Sequence, residues 1–131
     1  MGTPIKLLIA DDHPFIREAL WRLLVGVDDI LVVDEAVNGK EVIEKVKSGG
    51  IDVVLMDLMM PEMNGIVATR HITQHFPQVK VLALTMHSNQ NYVADMLASG
   101  ALGYLTKTVD KATLITAIKT VAGGNTFLHT A

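Results

Sequence analysis

The feature that most constrains this chain is a fivefold alternation of apolar segments with amphipathic ones. The segments "IKLLIA" (5–10), "DVVLMDL" (52–58) and "KVLALTM" (80–86) are nearly continuous apolar runs, which is typical of strands buried on both faces. Two further strands are predicted at "ILVVDEA" (30–36) and "GYLTK" (103–107). Because parallel strands need helical crossovers, the alternation predicts an α/β domain whose parallel sheet is covered on both faces.

A helix is predicted after each strand, at 14–25, 38–49, 66–76, 89–100 and 110–124. In the first helix the apolar face is predicted from five residues at helical spacing: Phe15, Ala19, Leu20, Leu23 and Leu24. The last helix, "LITAIKTVAGG" (114–124), has more apolar residues than one core-facing stripe needs. We therefore expect part of it to contact a partner subunit, together with the first helix; the alternative is that all of it is core.

Composition excludes several classes of protein. Half of the 131 residues are hydrophobic and 19% are charged, so a full core can form. A net charge of −3 without a basic run argues against direct nucleic-acid binding, and the absence of cysteine excludes disulfides and thiolate metal sites. No apolar run approaches the ~20 residues of a membrane span. A cytoplasmic location is the default expectation.

Polar residues recur at the carboxyl ends of the predicted strands. Asp11 and Asp12 follow the first strand, and Asp57 lies near the end of the third. Thr85 and Lys107 end the fourth and fifth strands. Because ligands of open parallel sheets bind beyond these strand ends, we expect the five side chains to converge on one site.

The types of these residues indicate phosphate chemistry. Three carboxylates at one sheet edge repel one another unless a cation is present, and oxygen ligands without cysteine favour Mg²⁺. A lysine and a threonine hydroxyl beside such an ion form a cradle for a tetrahedral anion. Asp57 is then a candidate nucleophile toward phosphorus, giving an acyl phosphate.

These residues lie in motifs that resemble the receiver domain of two-component response regulators. The motifs are "ADDH" (10–13), "LMDLMMPEMNG" (55–65), "ALTMH" (83–87) and "GYLTK" (103–107), and they look most like the NarL/FixJ, or LuxR-type, subfamily. The resemblance implies a doubly wound, flavodoxin-like fold with five strands in the order 2-1-3-4-5 and five helices. It implies a receiver domain over 1–124, with 125–131 starting a linker to a C-terminal helix-turn-helix domain that this chain does not contain.

The resemblance also implies the roles of the acidic residues. Asp57 would accept the phosphoryl group from a sensor histidine kinase. Asp12 would bind Mg²⁺ directly, together with Asp57 and the backbone carbonyl of Met59, and Asp11 would hold the ion through water.

The resemblance further assigns a phosphoryl-binding switch. Thr85 would hydrogen-bond the phosphoryl group, Lys107 would pair with Asp57 and then with the phosphoryl oxygen, and Tyr104 would turn inward as Thr85 moves. Met59, Met86 and His87 would tune the access of water. We expect His13, which follows the acids, to pack at the start of the first helix; the alternative is that it comes near the site.

The function implied is a phosphorylation-activated switch that controls dimerisation and, through the DNA-binding domain of a longer protein, transcription. Such a regulator is not an enzyme beyond its own phosphorylation and dephosphorylation. The alternative is a Mg²⁺-dependent phosphohydrolase with an aspartyl nucleophile, but those enzymes carry an Asp-x-Asp pair, whereas the acids here are adjacent. A nucleotide-binding domain would need a glycine-rich loop after the first strand, and none is present.

Overall fold

One parallel sheet organises the computed structural model, which describes residues 2–85 and 90–128. Its strands in the described ranges are β1 (Ile5–Ala10), β2 (Ile30–Ala36), β3 (Val53–Asp57), β4 (Lys80–Thr85), β5 (Gly103–Thr106) and β6 (Phe127–Leu128). The helices are α1 (Pro14–Leu24), α2 (Gly39–Lys47), α3 (Gly65–His75), α4 (Gln90–Ala98) and α5 (Lys111–Ala122). Within those same ranges, no helix has the length and apolar character needed to cross a bilayer.

The strand order is β2-β1-β3-β4-β5-β6, and every neighbouring pair is parallel. The predicted α/β fold, its five helices and the order of its first five strands are confirmed. The sixth strand was not predicted. It lies inside the segment 125–131 that the sequence assigned to a linker.

The sheet separates two apolar layers, as expected when both of its faces are covered. In β1, Leu8 and Ala10 point into one layer, while Leu7 and Ile9 point into the other. The first layer is completed by residues of α2, α3 and α4, namely Val42, Val46, Ala68, Ile72 and Met96. The second is completed by residues of α1 and α5, namely Leu20, Leu24, Leu114, Ala117, Ile118 and Val121. The sheet is therefore buried on both of its faces.

The apolar face predicted for α1 is partly wrong. Leu20 and Leu24 are buried, but Phe15 is 80% exposed and Ala19 is also exposed. Phe15 and Ala19 are four residues apart and form an exposed stripe along the helix. The buried stripe lies beside it and consists of Ile16, Leu20 and Leu24. Periodicity alone detects apolar residues at helical spacing, but it does not decide which of two adjacent stripes faces the sheet.

The apolar residues of α5 pack mainly within the chain itself. Leu114, Ala117, Ile118 and Val121 are buried, and Ile115 and Ala122 are partly buried against the same layer. The apolar character of this helix is therefore explained by core packing, which was the alternative reading of the sequence. The apolar residues of α5 therefore give no evidence for a surface that binds a partner subunit.

Strand β6 approaches β5 closely because Gly103 has no side chain. A Cβ atom on Gly103 would lie 2.2 Å from the carbonyl oxygen of Phe127. The Phe127 N–H also donates a hydrogen bond to the Leu102 carbonyl at 3.0 Å. The glycine therefore permits a strand of only two residues to pair with the sheet at this edge.

We expect Gly103→Ala to detach β6, because the new methyl group cannot coexist with the Phe127 carbonyl at this distance. The Phe127 amide should then exchange with solvent much faster, as followed by NMR-detected hydrogen exchange. Gly123→Ala is the control, since a Cβ there would meet no atom closer than 3.5 Å. Unchanged protection of the Phe127 amide in Gly103→Ala would contradict this account of the contact.

Candidate functional site

The centre of the site is a buried ion-pair cluster at the carboxyl ends of β1, β3 and the residue after β5. The Lys107 Nζ lies 2.5 Å from Asp11 Oδ2 and 3.1 Å from Asp57 Oδ1. The Lys107 side chain is only 3% exposed, and Asp11 is fully buried. The sequence predicted the pairing of Lys107 with Asp57, but Asp11 is the nearer partner. The two carboxylates together compensate the charge of one buried ammonium group.

Asp11 is fixed on every side. Its Oδ1 accepts a hydrogen bond from the His13 backbone N–H at 2.8 Å, which forms a local turn directly after β1. The Arg17 Nη1 donates to the Asp11 carbonyl at 2.8 Å, while the Arg17 Nε donates to Glu35 Oε1 at 2.8 Å. Arg17 thus links the ends of β1 and β2. No local pattern marks this role of Arg17, because Glu35 is 18 residues away.

Asp57 has an incompletely compensated carboxylate. Its Oδ2 is the one buried carboxylate oxygen of this cluster, among the described residues, with neither a hydrogen bond nor an ion-pair contact. Burial, and secondarily the charge of Asp11, raise the pKa of Asp57 from 3.8 to about 6, against the lowering effect of Lys107. At neutral pH the group is therefore still mainly ionised, but at a cost that a bound cation would remove.

The other predicted site residues lie around this centre. Thr85 is buried at the end of β4, and its carbonyl accepts a hydrogen bond from the Lys107 N–H at 2.8 Å. Tyr104 is partly buried against the α2–α3–α4 layer, on β5, and pairs with Ala83 of β4. Met59 is exposed in the loop after Asp57. The predicted access residues Met86 and His87 lie outside the described residues.

His13 does not pack against the first helix as expected. Its ring Nδ1 lies 2.9 Å from Asp11 Oδ1 and 3.2 Å from Asp12 Oδ1, and its side chain is 61% exposed. His13 is the residue before α1 and makes no side-chain cap to the helix. The sequence placed His13 beside the acids, but the direction of its ring depends on the turn at Asp11.

The loop after Asp57 is held by contacts on both sides. A Cβ on Gly65 would lie 2.1 Å from the Asp57 carbonyl oxygen, so α3 starts directly against the strand. Asn64 caps α3 by accepting the Val67 N–H at 3.0 Å. Glu62, with φ of 64°, accepts a hydrogen bond from Asn38 Nδ2 at 2.8 Å. No local pattern in the sequence predicts this attachment to the start of α2, because Asn38 and Glu62 are 24 residues apart.

The donor set of the site fits a divalent cation. Asp11, Asp12, His13 and Asp57 each offer one ligand atom, and these atoms all lie within 4.8 Å of one another. The three carboxylates face one lysine, and Asp57 Oδ2 has no partner, so negative charge remains uncompensated. Asp12 is 31% exposed, which makes it the carboxylate most open to an ion from solvent.

Comparison with known proteins identifies the relatives of this chain. A family model described as "Response regulator receiver domain" matches residues 7–119. The transcriptional regulatory protein DegU of Brevibacillus brevis is 42% identical over 125 residues, which are 95% of this chain and 53% of that protein. The oxygen regulatory protein NreC of Staphylococcus carnosus is 40% identical, with 95% and 58% covered. The chain therefore spans a little over half the length of these curated relatives.

A solved structure agrees with the sequence comparison. A two-component response regulator of the LuxR family from Aurantimonas sp. SI85-9A1 superposes with a TM-score of 0.88 at 34% identity. The superposition covers 97% of this chain and 90% of that one. The resemblance read from the four sequence motifs is thereby confirmed, including its LuxR-type branch.

We expect Gly65→Ala to destabilise the chain by about 1–3 kcal/mol, because the added methyl group overpacks the junction of β3 and α3. The free energy of unfolding from urea titration checks this. Val67→Ala, at an exposed position in the first turn of the same helix, is the control and should change stability far less. Equal effects of the two substitutions would contradict the close approach at Gly65.

We expect Asp57→Asn to raise the free energy of unfolding of the metal-free chain at pH 7.5, on the order of 1–3 kcal/mol. The pKa of Asp57 is about 6 in the folded chain and near 3.8 when unfolded, so the folded state binds more protons between these values. The contribution of Asp57 to stability is therefore present at low pH and is lost as pH rises through about 6.

The gain from Asp57→Asn should accordingly shrink at pH 4.5, where wild-type Asp57 is protonated in the folded chain. Urea titrations in a chelating buffer at the two pH values measure this. Asp28→Asn, at an exposed aspartate, supplies the control. A gain that is the same at both pH values would show that the ionisation of Asp57 is not its cause.

Proposed function

The chain belongs to the response regulator receiver domain family, in its LuxR-type branch, and on that premise we propose that it accepts a phosphoryl group on Asp57. The proposal treats the domain as a signalling switch. Family membership favours this reading over a phosphohydrolase, because receivers regulate rather than turn over substrates. The donor we propose is the phosphohistidine of a sensor histidine kinase.

The observation that carries the proposal is the state of the Asp57 carboxylate. One of its oxygens is held 3.1 Å from the Lys107 ammonium, and the other has no partner. A buried carboxylate with an unused oxygen beside a fixed cation is suited to attack an electrophilic phosphorus atom. Its pKa of about 6 leaves it ionised, and so nucleophilic, at neutral pH.

In the proposed reaction a carboxylate oxygen of Asp57 forms a bond to phosphorus as the phosphorus–nitrogen bond of phosphohistidine breaks. The electron pair of that bond leaves with the imidazole of the donor. Lys107 then compensates the negative charge of the phosphoryl oxygens, and the Thr85 hydroxyl donates a hydrogen bond to one of them. Thr85 and Lys107 lie at the ends of neighbouring strands, and the Lys107 N–H donates a hydrogen bond to the Thr85 carbonyl.

We assign the metal of this site to Mg²⁺. Asp12 and Asp57, with the backbone carbonyl of Met59, would hold it directly, and Asp11 through water. The exposure of Asp12 and the commitment of Asp11 to Lys107 and His13 support this division of roles. When bound, Mg²⁺ offsets negative charge on the phosphoryl oxygens.

The proposed output depends on β4 and β5. Thr85 and Lys107 would move when the phosphoryl group binds. Tyr104 lies on β5, the strand that leads to Lys107, so this movement would change the surface formed by α4 and β5. Met59, Met86 and His87 would set the access of water and hence the lifetime of the acyl phosphate. Homodimerisation, a cytoplasmic location and control of transcription through a C-terminal DNA-binding domain beyond residues 125–131 are what family membership implies.

We expect the chain to gain the mass of one phosphoryl group when it is incubated with acetyl phosphate and Mg²⁺. Intact-mass spectrometry measures the product, and the same incubation with a chelator should give none. Asp57→Asn removes the nucleophile but keeps the shape of the side chain, so it should remain unmodified.

Asp52→Asn is the matched control, since Asp52 is an exposed aspartate just before the same strand. It should be modified as readily as the wild type. An equal adduct on Asp57→Asn would overturn the assignment of the acceptor. If the wild type gains no mass from acetyl phosphate, a phosphorylated sensor kinase is used as the donor, and failure with that donor also would overturn the proposed function.

A further inference from the structure

His13 is a functional group at the mouth of the site that the proposed phosphoryl transfer does not use. Its backbone is fixed from both sides: the N–H donates to Asp11 Oδ1, and the carbonyl accepts hydrogen bonds from Ile16 and Arg17 at the start of α1. The backbone atoms that carry the ring are therefore held in place beside Asp11 and Asp12. Its exposure leaves it free to rotate about its side-chain bonds without disturbing the core.

Nδ1 of this ring already lies about as far from the acidic oxygens as two adjacent ligands of one metal ion lie from each other. Nδ1 lies 2.9 Å from Asp11 Oδ1 and 3.2 Å from Asp12 Oδ1. An octahedral ion with bonds of about 2.1 Å places adjacent ligand atoms roughly 3 Å apart and opposite ones roughly 4.2 Å apart. The four candidate ligand atoms, all within 4.8 Å of one another, need only small shifts to meet such an ion.

An independent observation points to a ligand at the same place. Asp57 is nine-tenths or more buried, and its Oδ2 has no hydrogen-bond partner. A buried carboxylate oxygen without a partner is costly, and a cation bound by this cluster removes that cost. The site is therefore more than a cluster of surface acids, and the imidazole lies within it.

Imidazole changes which ions such a site prefers. Mg²⁺ selects oxygen ligands, whereas imidazole nitrogen suits zinc, copper, iron and nickel. We propose that His13 Nδ1 is a ligand for first-row transition ions, which occupy the same carboxylates as Mg²⁺ and compete with it. This inference rests on the metal site of the proposed function, and it adds a residue and a class of ion to that site.

Ligation requires the lone pair of Nδ1 to face the ion. In the metal-free chain Nδ1 faces two carboxylates, which act only as acceptors, so it carries the ring proton there. On binding, the ring changes tautomer: Nδ1 gives up its proton to solvent and Nε2 takes one up, so the ring stays neutral and the Nδ1 lone pair faces the ion.

Two other histidines could also bind the test ion and must be replaced. His71 and His75 lie one turn apart on α3, with ring centroids 4.4 Å apart, and two such rings bind transition ions weakly. The measurements are therefore made on the whole chain carrying His71→Gln and His75→Gln. His13→Asn is then added, because asparagine is a favourable residue at the position before a helix.

The experiment is calorimetric titration of each protein with Ni²⁺ and, separately, with Mg²⁺. His13→Asn should weaken Ni²⁺ binding about tenfold or more, since loss even of an indirect partner of a metal ligand costs about that much. Binding of Mg²⁺ should stay within about twofold, because oxygen ligands alone hold that ion. Asp12→Asn should weaken the binding of both ions, which locates Ni²⁺ at the carboxylates.

Three results would overturn the inference. Unchanged Ni²⁺ affinity in His13→Asn would show that the ring is not a ligand. An equal loss for both ions would show that His13 only supports the carboxylates. Unchanged Ni²⁺ affinity in Asp12→Asn would place the ion elsewhere. Failure of the proposed function is separate, because it is read from phosphorylation of Asp57 and not from the ratio of the two affinities.

Discussion

The fold of this domain depends on one ammonium group, that of Lys107, buried between the carboxylates of Asp11 and Asp57. A buried charge without a partner is destabilising by several kcal/mol, so the three residues have to arrive together. They come from three parts of the chain that are far apart in sequence. The parallel pairing of β1 with β3, β3 with β4 and β4 with β5 is what brings them to one edge.

The same cluster leaves part of its negative charge uncompensated. One lysine cannot neutralise three carboxylates, and the protein leaves Asp57 Oδ2 without a partner instead of adding a second base. Burial, and secondarily the charge of Asp11, raise the pKa of Asp57, and Lys107 offsets this only in part. A site of this kind favours the binding of cations and, with them, of phosphoryl groups. The unpartnered oxygen costs stability locally, while the apolar layers on both sides of the sheet hold the strand ends in place.

Much of this could be predicted from the sequence, for a simple geometric reason. In a parallel sheet all strands end at the same edge, so Asp11, Asp57 and Lys107 had to converge once their strands were recognised. The exposed position of Phe15 could not be predicted in this way, because two adjacent stripes of α1 share the helical period. Strand β6 was missed for a different reason: it is two residues long and depends on the absence of a side chain at Gly103.

The residues that sequence analysis missed at the site act through long-range or directional contacts. Asn38 reaches Glu62 across 24 residues, and no local pattern marks that pair. His13 stands next to the acids in sequence, yet an extended chain would place His13 and Asp12 on opposite sides. The turn in which Asp11 Oδ1 accepts the His13 N–H reverses this and brings the ring back over both carboxylates. A histidine directly after two acids thus joins the acidic cluster only because the first acid is buried and its oxygen is fixed by that turn.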